Sequence, residues 1–406
     1  MSSTAKSSLG DRLAELRQRR NMTQEQLSER AALSVDVIRK LEQGRRKTAR
    51  LSSINALAQA LDTEPSYLVG QPTTFDVRDT TDDGLPSVLA LRQAVSPVAD
   101  LLSGDTDPED PPTIADLRAS LKSTETIRRE GRMSEIGIIL PQLIRDARAA
   151  THTYTGSDGA AANSVLAVAY QVAATTLTAL GKEDAAFTAM ERSLAAIRQS
   201  DDPNLETLAA STLSWVFTKQ GRLADAEQVA LARAEQIEPS FRSTPSELAL
   251  WGVLLLRAAT AAVRQERHEA VKDLLRMAKG AAESMGNDIT VYATPFGPTN
   301  ASVARVNFLV EMEKSDEAIQ AARTVANLES LPPTWRARFH VDRALAYNDL
   351  GKDGASGNAL LKAEEEAPEW LRYHATSRRL VEDLRERSSR SDTALLGLAD
   401  RLGLVG

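Results

Sequence analysis

The chain contains no cysteine among its 406 residues. Disulfides, zinc–thiolate sites and a cysteine nucleophile are therefore excluded together, as a reducing cytosol would allow. Aromatic residues are scarce, at 4%, and long stretches lack proline and β-branched runs, which favours helix nearly throughout and leaves no segment that reads as a strand. No signal-peptide pattern opens the chain, since Met1 to Gly10 is polar. The most apolar window, Leu248 to Val263, is short and interrupted by Arg257, so no membrane partner is expected. Motifs for chemistry are absent as well: there is no phosphate-binding glycine loop and no His-Glu-x-x-His. His152, His268, His340 and His374 lack ligand spacing, so neither a metal, a cofactor nor a catalytic residue is expected. The expectation is a protein that is not an enzyme.

Charge is present and unevenly placed. The whole chain carries −7, yet residues 1–70 carry +4 and the remainder −11. A basic module on an acidic body is what arises when one part alone meets a polyanion. The length favours more than one folding unit, and arginine outnumbers lysine 38 to 11, a bias associated with GC-rich bacterial genomes.

The basic module resolves into short helices. Leu9, Leu13 and Leu16 recur at helical spacing up to Arg19-Arg20. Thr23 opens a second helix, with Gln26 three residues on to complete a capping box. Ser34 opens a third, Val35 to Gln43, and Gly44 follows as its stop. A fourth helix carries Ile54, Leu57 and Leu61, and Pro65 opens a fifth with Tyr67 and Leu68.

On these residues, residues 9–70 resemble the helix-turn-helix domain of the phage repressors and Cro, the XRE family. Thr23-Gln24, Ser34, the run Ile38 to Arg46 and the closing Leu57-Ala58-x-Ala60-Leu61 carry the likeness. It implies a five-helix domain whose third helix enters the major groove of double-stranded DNA. Val35, Asp36, Arg39 and Lys40 would then face base edges, while Gln24, Arg45, Arg46, Lys47 and Arg50 would face phosphates. A carboxylate near phosphates needs a donor, so Asp36 has two other readings: it caps the third helix, or it pairs with Arg39. A basic run standing alone would read as a solvated loop. The same likeness assigns Arg17 and Glu42 to a partly buried ion pair between the first and third helices.

Helical periodicity stops at Gly70. Residues 71–85 read as a linker, 86–112 as a connecting helix followed by a second break, 113–390 as a helical repeat domain, and 391–406 as a C-terminal helix or tail. Turns at Gly131, Gly181, Gly221, Gln265, Glu313 and Gly351 each precede a small or modest residue five positions on. They recur at 38 to 50 residues, longer than an ideal tetratricopeptide repeat. The body nonetheless resembles a tetratricopeptide-like α-solenoid, which gives an all-α fold overall. Repressor-type heads on such bodies resemble the peptide-sensing regulators of Gram-positive bacteria and related regulators of actinomycete-type genomes. That resemblance implies a cytoplasmic homodimeric transcription regulator bound to an inverted-repeat operator, with a small molecule, peptide or protein as effector. A second reading is a protein-binding scaffold, or an antitoxin-like autoregulator whose solenoid holds a partner. Within the body, the irregular stretch 290–307 suggests a pocket lined by Tyr292, Phe296 and Asn300, with a helix N-terminus donating to an anion, or else an ordinary inter-repeat turn. Trp215, Trp251, Trp335 and Trp370 read as packing.

Overall fold

A computed structural model describes residues 8–45, 49, 51–63, 65–69, 88–98, 111–292, 294–387 and 393–404. The N-terminal head comprises α1 (Leu9–Arg19), α2 (Gln24–Ala31), α3 (Val35–Glu42), α4 (Leu51–Ala60) and α5 (Pro65–Val69). Leu13, Leu27, Ile38, Leu57, Leu61 and Leu68 are wholly buried in a common core. Helices α1 and α3 touch backbone to backbone at Gly10, where a Cβ would lie 2.1 Å from the Leu41 carbonyl oxygen. Only glycine permits that approach.

The body follows one construction rule. Six hairpins succeed one another: α7 (Ile114–Glu130) with α8 (Met133–Thr153), α9 (Gly156–Ala179) with α10 (Glu183–Ile197), and α11 (Asn204–Lys219) with α12 (Leu223–Gln236). Then come α13 (Pro245–Arg264) with α14 (His268–Met285), α15 (Pro298–Glu311) with α16 (Ser315–Arg323), and α17 (Pro333–Asp349) with α18 (Asp353–Glu366). In every hairpin one residue turns left-handed and the second helix starts two residues later. These residues are Gly131, Gly181, Gly221, Glu266, Glu313 and Gly351, with φ between 58° and 79°. The fourth turn therefore hinges on Glu266 rather than on the expected Gln265. Five residues beyond each hinge stand Ile136, Ala186, Ala226, Val271, Ala318 and Ser356, all 0% exposed. Each is the point at which the second helix is pressed against its neighbours, and hairpins so made bury their faces by stacking.

Both ends of the body extend beyond the repeats. Before them, α6 (Val88–Val95) buries Leu91, Ala94 and Val95 in the first core cluster, and Arg92 bonds Asp184 at 2.9 Å. The connecting helix ends before Ser96-Pro97 and packs as part of the body. After them come α19 (Pro368–Tyr373), α20 (Ala375–Arg387) and α21 (Thr393–Arg401), whose Leu380, Leu384, Leu395 and Leu398 cover the last hairpin. The stack also returns on itself: Thr334 Oγ1 on α17 donates to the Arg129 carbonyl of α7 at 3.0 Å, and the Glu369 carboxylate accepts the Ser134 amide. First and last hairpins meet, and the opening helices of the repeats face a shared interior.

Two findings correct the sequence reading. The stretch 289–296 is not strand-free: β1 (Ile289–Val291) pairs antiparallel with β2 (Thr294–Phe296), with Ile289 opposite Phe296. Strands this short are not stable alone; packing on α13 holds them. Long apolar helices also occur, for α9 and α13 have the length and composition to cross a membrane, but 78% and 67% of their most apolar 18-residue stretches are buried within the protein. They are core helices.

The hairpin is anchored by Phe296, 0% exposed, whose ring lies over Gly252 of α13. A Cβ at residue 252 would sit 1.9 Å from Cζ of that ring. Gly252→Ala is expected to lower the stability of the body by about 1–3 kcal/mol through overpacking, measured as a shift in the denaturant midpoint.

Candidate nucleic-acid interface

Local signals in the sequence set the three helices of the motif. Thr23 caps α2, accepting the Gln26 amide at 3.1 Å while the Gln26 side chain accepts the Thr23 amide at 2.8 Å. Ala32 adopts φ 52° and turns the chain, and Ser34 caps α3 by accepting the Val37 amide. Ser28 Oγ closes the turn by donating to the Leu33 carbonyl.

What fixes α3 relative to the rest is a nearly buried ion pair. Arg17 of α1 donates Nε to Glu42 Oε1 at 2.7 Å and Nη2 to Oε2 at 2.9 Å, and its third donor goes to the Met22 carbonyl at 2.7 Å. The two side chains are 14% and 7% exposed. Gln24 Nε2 adds a bond to Glu42 Oε2 at 2.7 Å. The fork of the guanidinium matches the carboxylate on two bonds, so the pair sets orientation as well as distance. Hydrogen bonding to Glu42 holds the Arg17 guanidinium above its ordinary range.

On the outward face of α3, Asp36, Arg39 and Lys40 are exposed and Val35 is half-buried. Asp36 and Lys40 bond each other at 2.7 Å, one helical turn apart. That bond, with Arg39 nearby, holds the Asp36 carboxyl below its usual range. Asp36 therefore pairs with Lys40 and not with Arg39. The i,i+4 spacing is the signal that could have shown it. Arg39 forms no ion pair among the described residues and remains the open donor of the helix. Arg45, just past the end of α3, is exposed; Arg46, Lys47 and Arg50 lie outside the described residues. Gln24, assigned to a phosphate, spends one of the two N–H donors of its side-chain amide on Glu42.

The residues of the second expected site are separated. Phe296 is core, and Asn300 is 7% exposed at the start of α15. The amides there are already taken, for Asp288 accepts Thr299 N at 3.3 Å and Asn300 N at 3.1 Å, and Ser330 Oγ at 3.1 Å. The chain's own carboxylate occupies the place an anion was expected to fill. Tyr292 alone lines a cavity, one of about 450 Å³ shared with Leu121, Glu125, Val165, Val168 and Leu205. Its backbone is left-handed, at φ 47°, and its hydroxyl donates to Asp202. Burial, then Asp202, pushes its ionisation upward.

Comparison with known proteins agrees with the head's geometry. Residues 8–67 match the family model of a helix-turn-helix domain. No curated protein matches the chain. Among solved structures, the chain is similar to Bacillus thuringiensis PlcR in complex with the peptide PapR7 and DNA. The likeness covers 88% of this chain and 99% of that one, at 11% identity and a TM-score of 0.39.

Breaking the Arg17–Glu42 pair should unseat α3. Glu42→Ala leaves a guanidinium without its partner and is expected to cost about 3 kcal/mol, the low end for a buried pair. Glu42→Gln, which keeps one acceptor, should cost less. Denaturant-dependent amide exchange at Leu13 and Leu41 would rank the two.

Proposed function

We propose that this chain is a DNA-binding transcription regulator: its helix-turn-helix head reads an inverted-repeat operator as a homodimer, and its helical body receives the signal that controls the head. The observation that carries the reading is Arg39, an exposed guanidinium with no ion pair among the described residues, on a helix whose orientation is locked by Arg17 and Glu42. Such a donor fits guanine O6 and N7 across two bonds. Val35 lies one turn nearer the helix start, placed to meet a thymine methyl.

Asp36 and Lys40 enter as a pair. Lys40 reaches a base or phosphate only by giving up part of its bond to Asp36, and an exposed i,i+4 pair is worth about 0.3–0.5 kcal/mol, so the exchange is inexpensive. Asp36 then accepts from cytosine N4 or stays with Lys40. Arg45, Arg46, Lys47 and Arg50, together with the α2 N-terminus, supply sequence-independent contacts to phosphates. Two heads related by a two-fold axis would place their third helices in successive major grooves, about 34–36 Å apart. The reading places the protein in the cytoplasm of a bacterium, beside its DNA, and gives it no catalytic step.

The reading separates two kinds of substitution. Arg39→Ala is expected to relax preference at one base-pair position, at about 1–3 kcal/mol for the favoured base, with little change in salt dependence. Arg45→Ala should weaken binding to all sequences alike and reduce the salt slope by about 1. Selection of bound sequences from a random pool, followed by gel-shift titrations at several salt concentrations, measures both. Unchanged affinity in both variants would overturn the proposal.

A further inference from the structure

Around the interior shared by the repeats, cations converge from several helices. Lys219 and Trp215 stand one turn apart on α11, and the Lys219 ammonium lies 4.7 Å from the centre of the Trp215 ring. From α13, Arg257 brings its guanidinium within 5.0 Å of the same ring and donates to Ser211 Oγ at 3.3 Å. Beyond them Arg264 is tied to Glu311 at 3.3 Å, and Arg338 to Asp342 at 3.1 Å. Asn307 Nδ2 donates to the same Asp342 oxygen at 3.0 Å. The second Asp342 oxygen has no partner, although the residue is 1% exposed.

The charges in this cluster do not close. Glu311 and Asp342 are each spent on one arginine. Lys219 and Arg257 form no ion pair among the described residues, and Glu183 and Glu311 favour the charged form of Lys219 less than burial, Arg264 and Arg338 disfavour it. Burial, with Arg264 and Arg338 facing it, pushes Lys219 down to about 7, against an ordinary 10.5. Burial, with Arg128 and Arg264, pushes Arg257 down to about 10. Two cations are thus held where their charged forms are disfavoured, at 4.7 and 5.0 Å from the centre of one indole ring. Trp215, Lys219 and Arg257 are half-buried and not sealed, so solvent reaches them. Cation–π contact with Trp215 offsets part of the cost, but an anion would offset far more.

We infer that Trp215, Lys219 and Arg257 form the binding site of a small organic anion, whose carboxylate or phosphate is held by the ammonium and guanidinium while its apolar or aromatic body lies against the indole. This deepens, and rests on, the reading of the body as the part that receives a signal. The other charged groups supply the frame. The Arg264–Glu311 and Arg338–Asp342 pairs are self-neutral, so the charge left to recognise an anion lies on Lys219 and Arg257. Charge-assisted bonds of this kind discriminate strongly by sign.

The test uses the full chain and three probes of matched shape: phenyl phosphate, benzoate and benzyltrimethylammonium, titrated calorimetrically at low ionic strength. Binding of one or both anions, with none of the cation, is the expected result, and which anion binds identifies the headgroup. Lys219→Met and Arg257→Met should each lose roughly tenfold or more in affinity, about one charge-assisted bond's worth. Lys219→Met should not lower the unfolding temperature of the ligand-free protein, because it removes a desolvated charge; Arg257→Gln serves as the second variant if either methionine variant is unfolded. At pH 8 most Lys219 is neutral without ligand and charged with it, so anion binding should take up protons. Repeating the titration in buffers of different ionisation enthalpy reads that uptake, and Lys219→Met should abolish it. Failure of both anions to bind, equal binding by the variants, or equal binding of the cation would overturn the inference. Gel shifts on the same preparation keep the outcomes apart: lost DNA binding counts against the regulator reading, and absent anion binding counts against this site.

Discussion

The body depends on a tight turn. Two residues at the first hairpin and three at each of the others separate the two arms, one of them left-handed and two places before the next helix, and the residue five beyond the hinge is fully buried in all six. A longer turn would let the arms diverge and leave that position wet. Glycine supplies the conformation at four hinges without steric cost. At the other two, Glu266 and Glu313 adopt it against the preference of a residue with a Cβ, a cost of about 1–2 kcal/mol each, which the stacking of the finished hairpins outweighs. Because every hairpin is closed in the same way, the first helix of each repeat falls on the same side. From that regularity comes an interior lined by α11, α13, α15 and α17, and the side chains that meet at Lys219 are brought together by it.

The sequence was most legible where structure is local. Caps at Thr23 and Ser34, the core spacing of Leu13, Leu27, Ile38 and Leu57, and the turns at Gly131, Gly181, Gly221, Glu313 and Gly351 all depend on neighbours a few residues away. Legibility fell where two local rules compete. The spacing of Asp36 and Lys40 permits an ion pair, and their place on the third helix permits base contact; the unbound head adopts the first. Glutamine at 24 suits a helix start, yet its amide finds Glu42, eighteen residues on. Legibility failed where partners are distant. Nothing near residues 299 and 300 shows that Asp288 folds back onto their amides, nor does an aromatic at 296 show that Gly252 leaves room for it. Trp215 reads as packing from its spacing alone; only the fold brings Lys219 and Arg257 to its ring.

Head and body meet lightly at a defined place. The carbonyl of Leu68, in the last turn of α5, accepts Arg12 Nε from the head at 3.1 Å and Arg379 Nη2 from α20 at 3.1 Å. Carbonyls at a helix end have no partner within the helix, so the end of α5 is completed by one arginine from each side. Nearby, Pro65 lies against the Gly221 turn. A neutral acceptor bonded by a cation contributes about 1.5–3 kcal/mol at most. The hold is not confined to that one acceptor, because Pro65 rests on the Gly221 turn and α4 packs against α13. The head, with its own core of Leu13, Ile38 and Leu57, is thus joined to the body through the ends of α4 and α5 while α3 faces away from the joint.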